Sequence, residues 1–532
     1  MSVIGILYGR IYTYEICGLN SLNSCIFYFD SLPSSLDNTQ AYVENITKFY
    51  QLRVIMIFKQ AKVAFIDGVR TPFAKSPGAY NKLKAYDLGR EALLALKQRN
   101  PVIQTNCQQL TMGCVIHNAA TSNVARESLI GAGYDLATPA FTVTQACISA
   151  NRAITNTVEA IQSGSIKIAV AGGVESTSDA PVRISDNLKA ILIKAQRAKG
   201  LKDYWSLFKQ FKFKDLAPVA PAIAEFSTGQ TMGQDADRLS ARFGVSRLEQ
   251  DEFALRSHQL ATQAWKDGKF DEEVQTMLAA PDFTPVEQDN TFYATSSIQK
   301  LSSLKPVFVR PNGTVTAGNA SPLTDGASAC LLMDIDAAKV HGYQPQVVIY
   351  GYNYSAHNPD GELLLGPAFT IPRLLNEAGL SIDDISVFEI HEAFAGQVLA
   401  NLKALQDKEF CMQRLGLAAA FGEIPMDKIN TEGGSLSLGH PFGATGGRLL
   451  IAASRRLLAS DGEYALISAC AAGGQGSSIL LKKITTTKPK TTPKATKKVA
   501  KRTAKKAVRK AVKKVTKKVT KKTTKTTTGK EK

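Results

Sequence analysis

The sequence predicts an α/β protein made of two similar halves, and three observations carry that prediction. From about Ile57, strand-like apolar runs alternate with segments of helical spacing, the pattern of a largely parallel sheet covered by helices. The alternation then recurs: IKIAVAGG in the first half and YALISACAAGG in the second both read as strands ending in Gly-Gly. Between the halves, residues 175–304 break the rhythm with charged amphipathic stretches such as RLSARFGVSRLEQDEFALRSH, read here as an inserted lid or ligand-binding region.

Taken in order, residues 1–55 mix aromatics, Ser and Asn without a sustained period. Arg10 and Glu15 interrupt their only apolar stretch, and Asp30, Asp37 and Glu44 add acids, which argues against a secretory signal or a transit peptide. This extension is expected to lie outside the fold, which starts more sharply at Met56. VAFIDGV reads as a buried strand and AYDLGREALLALKQR as a helix. LTMGCVI, ARESLIGAG, AFTV, CISANRAITNTVEAIQSG and IKIAVAGG continue as strand, helix, strand, helix, strand. VVIYGYNYS, TIPRLLNEAG, ISVFEI, HEAFAGQVLANLKALQ, GGRLLIAASRRLLAS and EYALISACAAGG repeat the rhythm. The expected organisation is an extension (1–55), a first half (56–174 with 305–335), the inserted loop domain (175–304), a second half (336–481) and a basic tail (482–532).

Composition bounds the function. A chain of 532 residues predicts two to four folded units. With 44% hydrophobic residues, wholesale disorder is excluded. No apolar run is long enough for a membrane-spanning helix. The net charge of +18 is uneven: 22 of the 64 basic residues and one of the 46 acids fall in 482–532. That stretch therefore carries +21 and the remaining body −3, so any argument for polyanion binding applies to the tail alone. Eight cysteines (Cys17, Cys25, Cys107, Cys114, Cys147, Cys330, Cys411, Cys470) form no C-x-x-C pair. This favours a reducing compartment without a disulfide framework. The six histidines lie singly, without metal-ligand spacing, so no metal is expected. The location read from these features is cytoplasmic, with a mitochondrial one left open.

Four residues are candidates for chemistry. Cys147, in TVTQACISANRAI, follows an apolar strand and precedes a small-residue helix. There the helix dipole is expected to lower the thiol pKa from about 8.5 towards 7 or below. A buried structural cysteine is the ordinary alternative. His391 follows the strand VFEI, and His440 lies in the Gly-rich GGSLSLGHPFGATGGR, whose backbone N–H groups can approach a ligand. Cys470, in SACAAGGQG, ends a strand in another Gly turn, where it fits acid/base, redox or packing roles.

The motifs TQACISANRA, GTVTAGNASPLTDGASA, HEAFA, GHPFGATGGR and CAAGGQG, in that order, resemble the thiolase family over about 57–481. The resemblance implies a five-layered αβαβα fold of two halves with an inserted loop domain. It also implies that Cys147 is the nucleophile, His440 its base and Cys470 the acid/base, with His391 and His440 stabilising an enolate oxygen. The backbone N–H groups of Cys147 and Ala472 would hold the tetrahedral oxyanion; Ala472 replaces a glycine of the short-chain pattern but keeps the N–H. Ala317 and Ser321 would line the pantetheine, and basic residues of the inserted region would meet the CoA phosphates. No metal or prosthetic group is implied, and CoA is a substrate. HEAFA with GHPFGATGGR is similar to the β subunit of trifunctional fatty-acid-oxidation complexes. Asp179 stands where short-chain relatives have Met, against a pocket restricted to short chains.

The expected activity is thus thiolysis of 3-ketoacyl-CoA to acetyl-CoA and a shortened acyl-CoA. Expected partners are a second copy of the chain, in a homodimer or larger assembly, and a hydratase/dehydrogenase α subunit, since no G-x-G-x-x-G fingerprint is present. Alternatives are an acetoacetyl-CoA-forming acetyltransferase, a decarboxylating ketoacyl synthase, for which Cys470 would be superfluous, and a polyanion binder on a thiolase scaffold. The tail, low in complexity and repeating Lys-Lys-x-x, resembles linker-histone tails. It is expected to be disordered alone and to bind nucleic acid or other polyanions.

Overall fold

The computed structural model describes residues 2–7, 10–15, 55–218 and 224–484. The described residues up to Lys483 fall in one compact unit. The tail expected from 482 onwards lies, beyond residue 484, outside the described residues, as does 16–54 of the extension. Within the extension, Ser2–Leu7 and Arg10–Glu15 pair as an antiparallel hairpin that the sequence pattern did not announce.

The main sheet contains β1 (Val63–Arg70), β2 (Gln109–Gly113), β3 (Ala140–Val143), β4 (Ile168–Glu175), β5 (Thr324–Asp334), β6 (Val347–Ala356), β7 (Ile385–Ile390), β8 (Tyr464–Ala471) and β9 (Gln475–Lys483). Their order is β7-β8-β9-β6-β1-β5-β4-β2-β3. Ile55–Ile57 adds to β6, so Ile55, assigned above to the extension, already pairs in the sheet.

The sheet is mixed, which corrects the expectation of a largely parallel one. Its flanks are parallel, β7 with β8, β4 with β2, and β2 with β3. There the connections contain helices long enough for a crossover. The centre is antiparallel, because β5 and β9 insert into it. Neither was read as a strand. β5, TDGASACLLMD, is buried at every position but its last and shows no two-residue alternation. β9 returns from β8 through a three-residue turn in which Gly473 and Gly474 have φ of 84° and 65°, a backbone that glycine adopts without strain.

The helices supply the remaining layers. α1 (Ala85–Arg99) and α2 (Val124–Gly131) pack together, and α1 lies against β1, β4 and β5. α3 (Ser149–Gln162) buries Ala150, Ile154, Val158 and Ile161, positions spaced three or four apart and therefore on one helix face.

Two helices of the inserted region, α4 (Asp186–Ala195) and α5 (Leu201–Gln210), precede α6 (Met232–Arg242) and α7 (Arg247–Lys266). Capping boxes start the last two: Thr231 with Gln234, and Ser246 with Glu249. α8 (Gly366–Ala378) covers β6, β8 and β9, and α9 (Ala395–Gln406) packs on α6, α7 and α8. α10 (Thr445–Ala459) packs on α3 and touches strands of both halves. α3 and α10 therefore form the layer between the halves. With the two halves of the sheet on either side of that layer, the order α1/α2, half-sheet, α3/α10, half-sheet, α8/α9 is the αβαβα arrangement expected.

Buried ion pairs tie the inserted region to the body. The Arg70 guanidinium donates to both carboxylate oxygens of Asp289 (2.6 and 2.9 Å) and to Glu273 (2.8 Å), all three side chains being buried. Removing one partner of such a set leaves an uncompensated buried charge.

Candidate functional site

Cys147 sits in the tight link between β3 and α3. Ala146 just before it has a φ of 45°, a strained conformation for a residue with a Cβ. The Ser149 hydroxyl holds the link closed, accepting from Gln145 N–H (2.8 Å) and donating to the Ala146 carbonyl (2.7 Å). His391 follows β7 directly, and its N–H donates to the Ser468 carbonyl of β8 (2.8 Å). His440 pairs alongside Leu323, just ahead of α10.

The fold brings together residues from both halves of the chain. The Cys147 sulfur and a ring nitrogen each of His391 and His440 lie within 4.8 Å of one another. The two rings are 4.1 Å apart between centroids and are buried. Cys470, fully inside β8, is close enough to Cys147 that charge on one raises the pKa of the other. The N–H groups of Ala472 and of Cys147 itself turn towards the Cys147 sulfur.

The electrostatics correct one expectation. Burial pushes the Cys147 thiol up to about 12, against the smaller lowering by those two N–H groups. The anticipated depression by the helix end is outweighed, because the sulfur sits in a desolvated cleft with the Glu175 carboxylate nearby. Burial, with a contribution from Arg448, holds His440 down at about 3. Burial, His440 and Arg448 hold His391 well below the ordinary histidine value. The resting site is therefore a neutral thiol facing two neutral imidazoles. Burial and the neighbouring Cys147 hold the Cys470 thiol well above its ordinary value.

Each ring is oriented from behind by a hydroxyl. His391 Nδ1 lies 2.9 Å from Ser435 Oγ, and Arg448 donates to that same oxygen at 2.8 Å. His440 Nδ1 lies 2.6 Å from Thr445 Oγ1, which is 3.0 Å from the Pro441 carbonyl. Nε2 of both rings has no hydrogen-bond partner among the described residues.

Two buried carboxylates hold the loops. Glu392 accepts from Asn430 Nδ2 (2.6 Å), Ser257 Oγ (2.8 Å) and the Leu436 N–H (3.2 Å). Glu175, raised to about 7 by burial, accepts from the N–H groups of Gly443 (2.8 Å), Ile116 (2.9 Å) and Val115 (3.1 Å). Gly443 has no room for a side chain: a Cβ there would lie 2.4 Å from the Val174 carbonyl oxygen. Glu392, Ser435, Thr445 and Arg448 lay inside motifs read above without a role, whereas Glu175 carried no sequence signal of its own.

Of the predicted substrate-lining pair, Ala317 is exposed and Ser321 half-buried. Their turn is bonded to the HEAFA segment, Ser321 N–H to the Ala393 carbonyl and Ala395 N–H to the Asn319 carbonyl (both 2.9 Å). Asp179 accepts from Asn118 Nδ2 (3.0 Å). All six described cysteines are free.

A cysteine thiol, two neutral imidazoles, a second thiol and N–H groups converging on the first lie together on a duplicated αβαβα scaffold, an arrangement suited to acyl transfer. The comparisons give the family. "Thiolase, N-terminal domain" matches residues 63–336 and "Thiolase, C-terminal domain" matches 343–483. The chain belongs to the thiolase family. It is 47% identical over 420 residues to a "Probable 3-ketoacyl-CoA thiolase" of Caenorhabditis elegans, covering 79% of this chain and 94% of that one. It is equally identical, over 420 residues, to the Homo sapiens "Trifunctional enzyme subunit beta, mitochondrial", covering 79% and 88%. The crystal structure of the Bacillus anthracis acetyl-CoA acetyltransferase superposes with a TM-score of 0.67 at 29% identity, over 80% of this chain and 99% of that one.

Proposed function

We propose that this chain is a degradative 3-ketoacyl-CoA thiolase, an acetyl-CoA C-acyltransferase of fatty-acid β-oxidation. The observation that carries the reading is the convergence of Cys147, His391 and His440 within 4.8 Å, with Cys470 beside them. The similarity to 3-ketoacyl-CoA thiolases and trifunctional β subunits supports the degradative branch.

In this mechanism the Cys147 sulfur attacks the 3-keto carbon while its proton passes to His440 Nε2. The bond between C2 and C3 breaks, and its electron pair leaves as the acetyl-CoA enolate. The enolate oxygen is held by His391 and by the protonated His440. The Cys470 thiol protonates C2, releasing acetyl-CoA and leaving the acyl group on Cys147. Incoming CoA gives its thiol proton to Cys470, and its sulfur attacks the acyl carbonyl. The shortened acyl-CoA departs, and Cys147 recovers its proton from His440. The N–H groups of Cys147 and Ala472 hold the tetrahedral oxyanions, where losing one donor costs roughly 10²–10³ in rate. Burial of the site favours this design: a neutral thiol–imidazole pair avoids a desolvated ion pair until substrate charge develops.

Ala317 and Ser321 are proposed to line the pantetheine, and CoA serves as substrate, with no cofactor in the cycle. The proposed assembly is at least a homodimer, joined by an α subunit carrying hydratase and dehydrogenase activities; the human relative is named as one subunit of a trifunctional enzyme. Among the described residues no helix is long and apolar enough to cross a membrane. A reducing compartment fits the free cysteines; the cytoplasmic reading rests on the sequence, and the mitochondrial relatives favour the mitochondrion. The tail is proposed to bind polyanions through its +21 charge.

Steady-state thiolysis of 3-ketoacyl-CoAs of graded chain length tests the proposal. Cleavage of medium and long chains is expected. Turnover confined to acetoacetyl-CoA would favour the short-chain alternative, and decarboxylative condensation without thiolysis would favour the synthase.

A further inference from the structure

We infer that the two histidines are locked in opposite tautomers by the hydroxyls behind them, with Ser435 and Thr445 as positioning residues. His440 is held with its proton on Nδ1 and a lone pair on Nε2. His391 is held with its proton on Nε2. The inference rests on the thiolase reading for its consequence, a base at one ring and an oxyanion donor at the other, but the assignment itself comes from counting protons.

At His440, the Thr445 hydroxyl has one proton and two neighbours, Nδ1 at 2.6 Å and the Pro441 carbonyl at 3.0 Å. If the hydroxyl donates to the carbonyl, Nδ1–H donates to the hydroxyl and both contacts are hydrogen bonds. If it donates to Nδ1 instead, oxygen lone pairs of the hydroxyl and the carbonyl face each other at 3.0 Å. The first arrangement satisfies every group in a buried site, which a low-dielectric interior demands. It leaves Nε2 as the acceptor directed into the cleft.

At His391 the count runs the other way. Ser435 Oγ accepts a hydrogen bond from the Arg448 guanidinium at 2.8 Å. Arginine remains protonated and can only donate. Ser435 keeps its own proton, and its remaining side-chain hydrogen-bond neighbour among the described residues is His391 Nδ1 at 2.9 Å. Donation from Ser435 to Nδ1 satisfies the hydroxyl, whereas a proton on Nδ1 would leave the Ser435 proton buried without an acceptor. His391 therefore presents Nε2–H. Arg448 is itself anchored beside Glu389 on β7 (3.5 Å), so the strand that delivers His391 also fixes the group that selects its tautomer. A ring whose other nitrogen is set by a hydrogen bond has its tautomer set as well.

Two measurements test this on the full-length protein. With ¹⁵N-histidine labelling, the protein's six histidines can be assigned by single substitutions, and two-bond proton–nitrogen correlations report which nitrogen is protonated. The expected result is Nε2–H on His391 and Nδ1–H on His440; equal or reversed tautomers would overturn the inference. This arm requires no turnover, so a protein without thiolysis would refute the proposed function and leave the tautomers to be read.

The second arm separates the two rings kinetically. Ser435→Ala should lower kcat for thiolysis by ~10- to 100-fold, less than removal of an oxyanion donor at its upper limit, with KM changed by less than about threefold. Alkylation of Cys147 by iodoacetamide, which uses His440 alone, should stay within about twofold of wild type. Thr445→Val should slow both reactions, and the hydroxyl-retaining Ser435→Thr and Thr445→Ser should restore the respective losses. Slowed alkylation in Ser435→Ala, or no rescue by the hydroxyl variants, would contradict the division of labour.

Discussion

The two thiols occupy opposite kinds of backbone. Cys147 is half-buried in an irregular link whose preceding residue is strained. Cys470 is buried in the regular ladder of β8, opposite Gly476 of β9. A nucleophile must reach a substrate carbon and then release it, which suits a sulfur on a link between elements. An acid/base needs only a fixed distance and a protonated resting state, which a strand and a desolvated thiol provide. On the proposed mechanism the same element, sulfur, takes two functions from two local geometries.

The largest expected effect breaks the first geometry. Cys147→Ala should lower thiolysis by about 10⁴ or more, since no other sulfur takes its place beside His440. Steady-state assays would show it; residual turnover within about tenfold of wild type would show that the link is not the nucleophile's seat. Cys470→Ala should cost about 10²–10⁴ in turnover, the usual range for an acid/base group, while still permitting acylation of Cys147.

The loops that carry the imidazoles can be loosened without touching either thiol. Glu392→Ala removes the acceptor for Asn430, Ser257 and the Leu436 N–H. Leaving such buried donors unpaired should destabilise the fold by about 2–4 kcal/mol, measurable by urea unfolding. An unchanged midpoint would mean that water replaces the carboxylate freely.

The pH profile sharpens the comparison. His440 is held at about 3 and His391 well below its ordinary value, so both are neutral in the folded enzyme near neutrality. Acid inactivation should not follow an ordinary histidine titration: kcat/KM should change by less than about twofold between roughly pH 6 and 7.5. A limb centred near about 6.5, the ordinary histidine value, would contradict the neutral pair. In the unfolded chain these rings take up protons below about 6.5. Their contribution to stability is therefore complete above that pH and declines as pH falls towards the folded-state values.

The smallest effect concerns the tail. With +21 in 482–532 and −3 in the body, charges beyond about 8 Å are largely screened at physiological salt. Truncation after Lys483 should abolish DNA or heparin binding yet keep kcat within about twofold, roughly 0.4 kcal/mol in the barrier. DNA binding that survives truncation, or a large fall in kcat, would show that tail and site are coupled.

Much of this was legible in the sequence, for identifiable reasons. ISVFEI and AYDLGREALLALKQR match β7 and α1 residue for residue, because apolar runs bounded by turn residues state their ends. β5 and β9 were not legible: small residues buried on both faces leave no period, and their insertion made the sheet mixed. The four candidate residues stood out because each lies in a dense motif. The bond from Gly443 to Glu175 spans 268 positions, and no local pattern announces such a contact. The thiol's pKa was misjudged for a related reason, since burial is set by elements distant in sequence and outweighs a dipole that the sequence does reveal.

The most direct measurement of the division between the thiols is acyl transfer from a reactive acyl-CoA to the Cys470→Ala protein, followed by peptide mass spectrometry. The expected result is stoichiometric acylation confined to the peptide containing Cys147, with hydrolysis or transfer to CoA slowed. Acyl mass on any other residue, or none on Cys147 while the variant still cleaves 3-ketoacyl-CoA, would contradict the account.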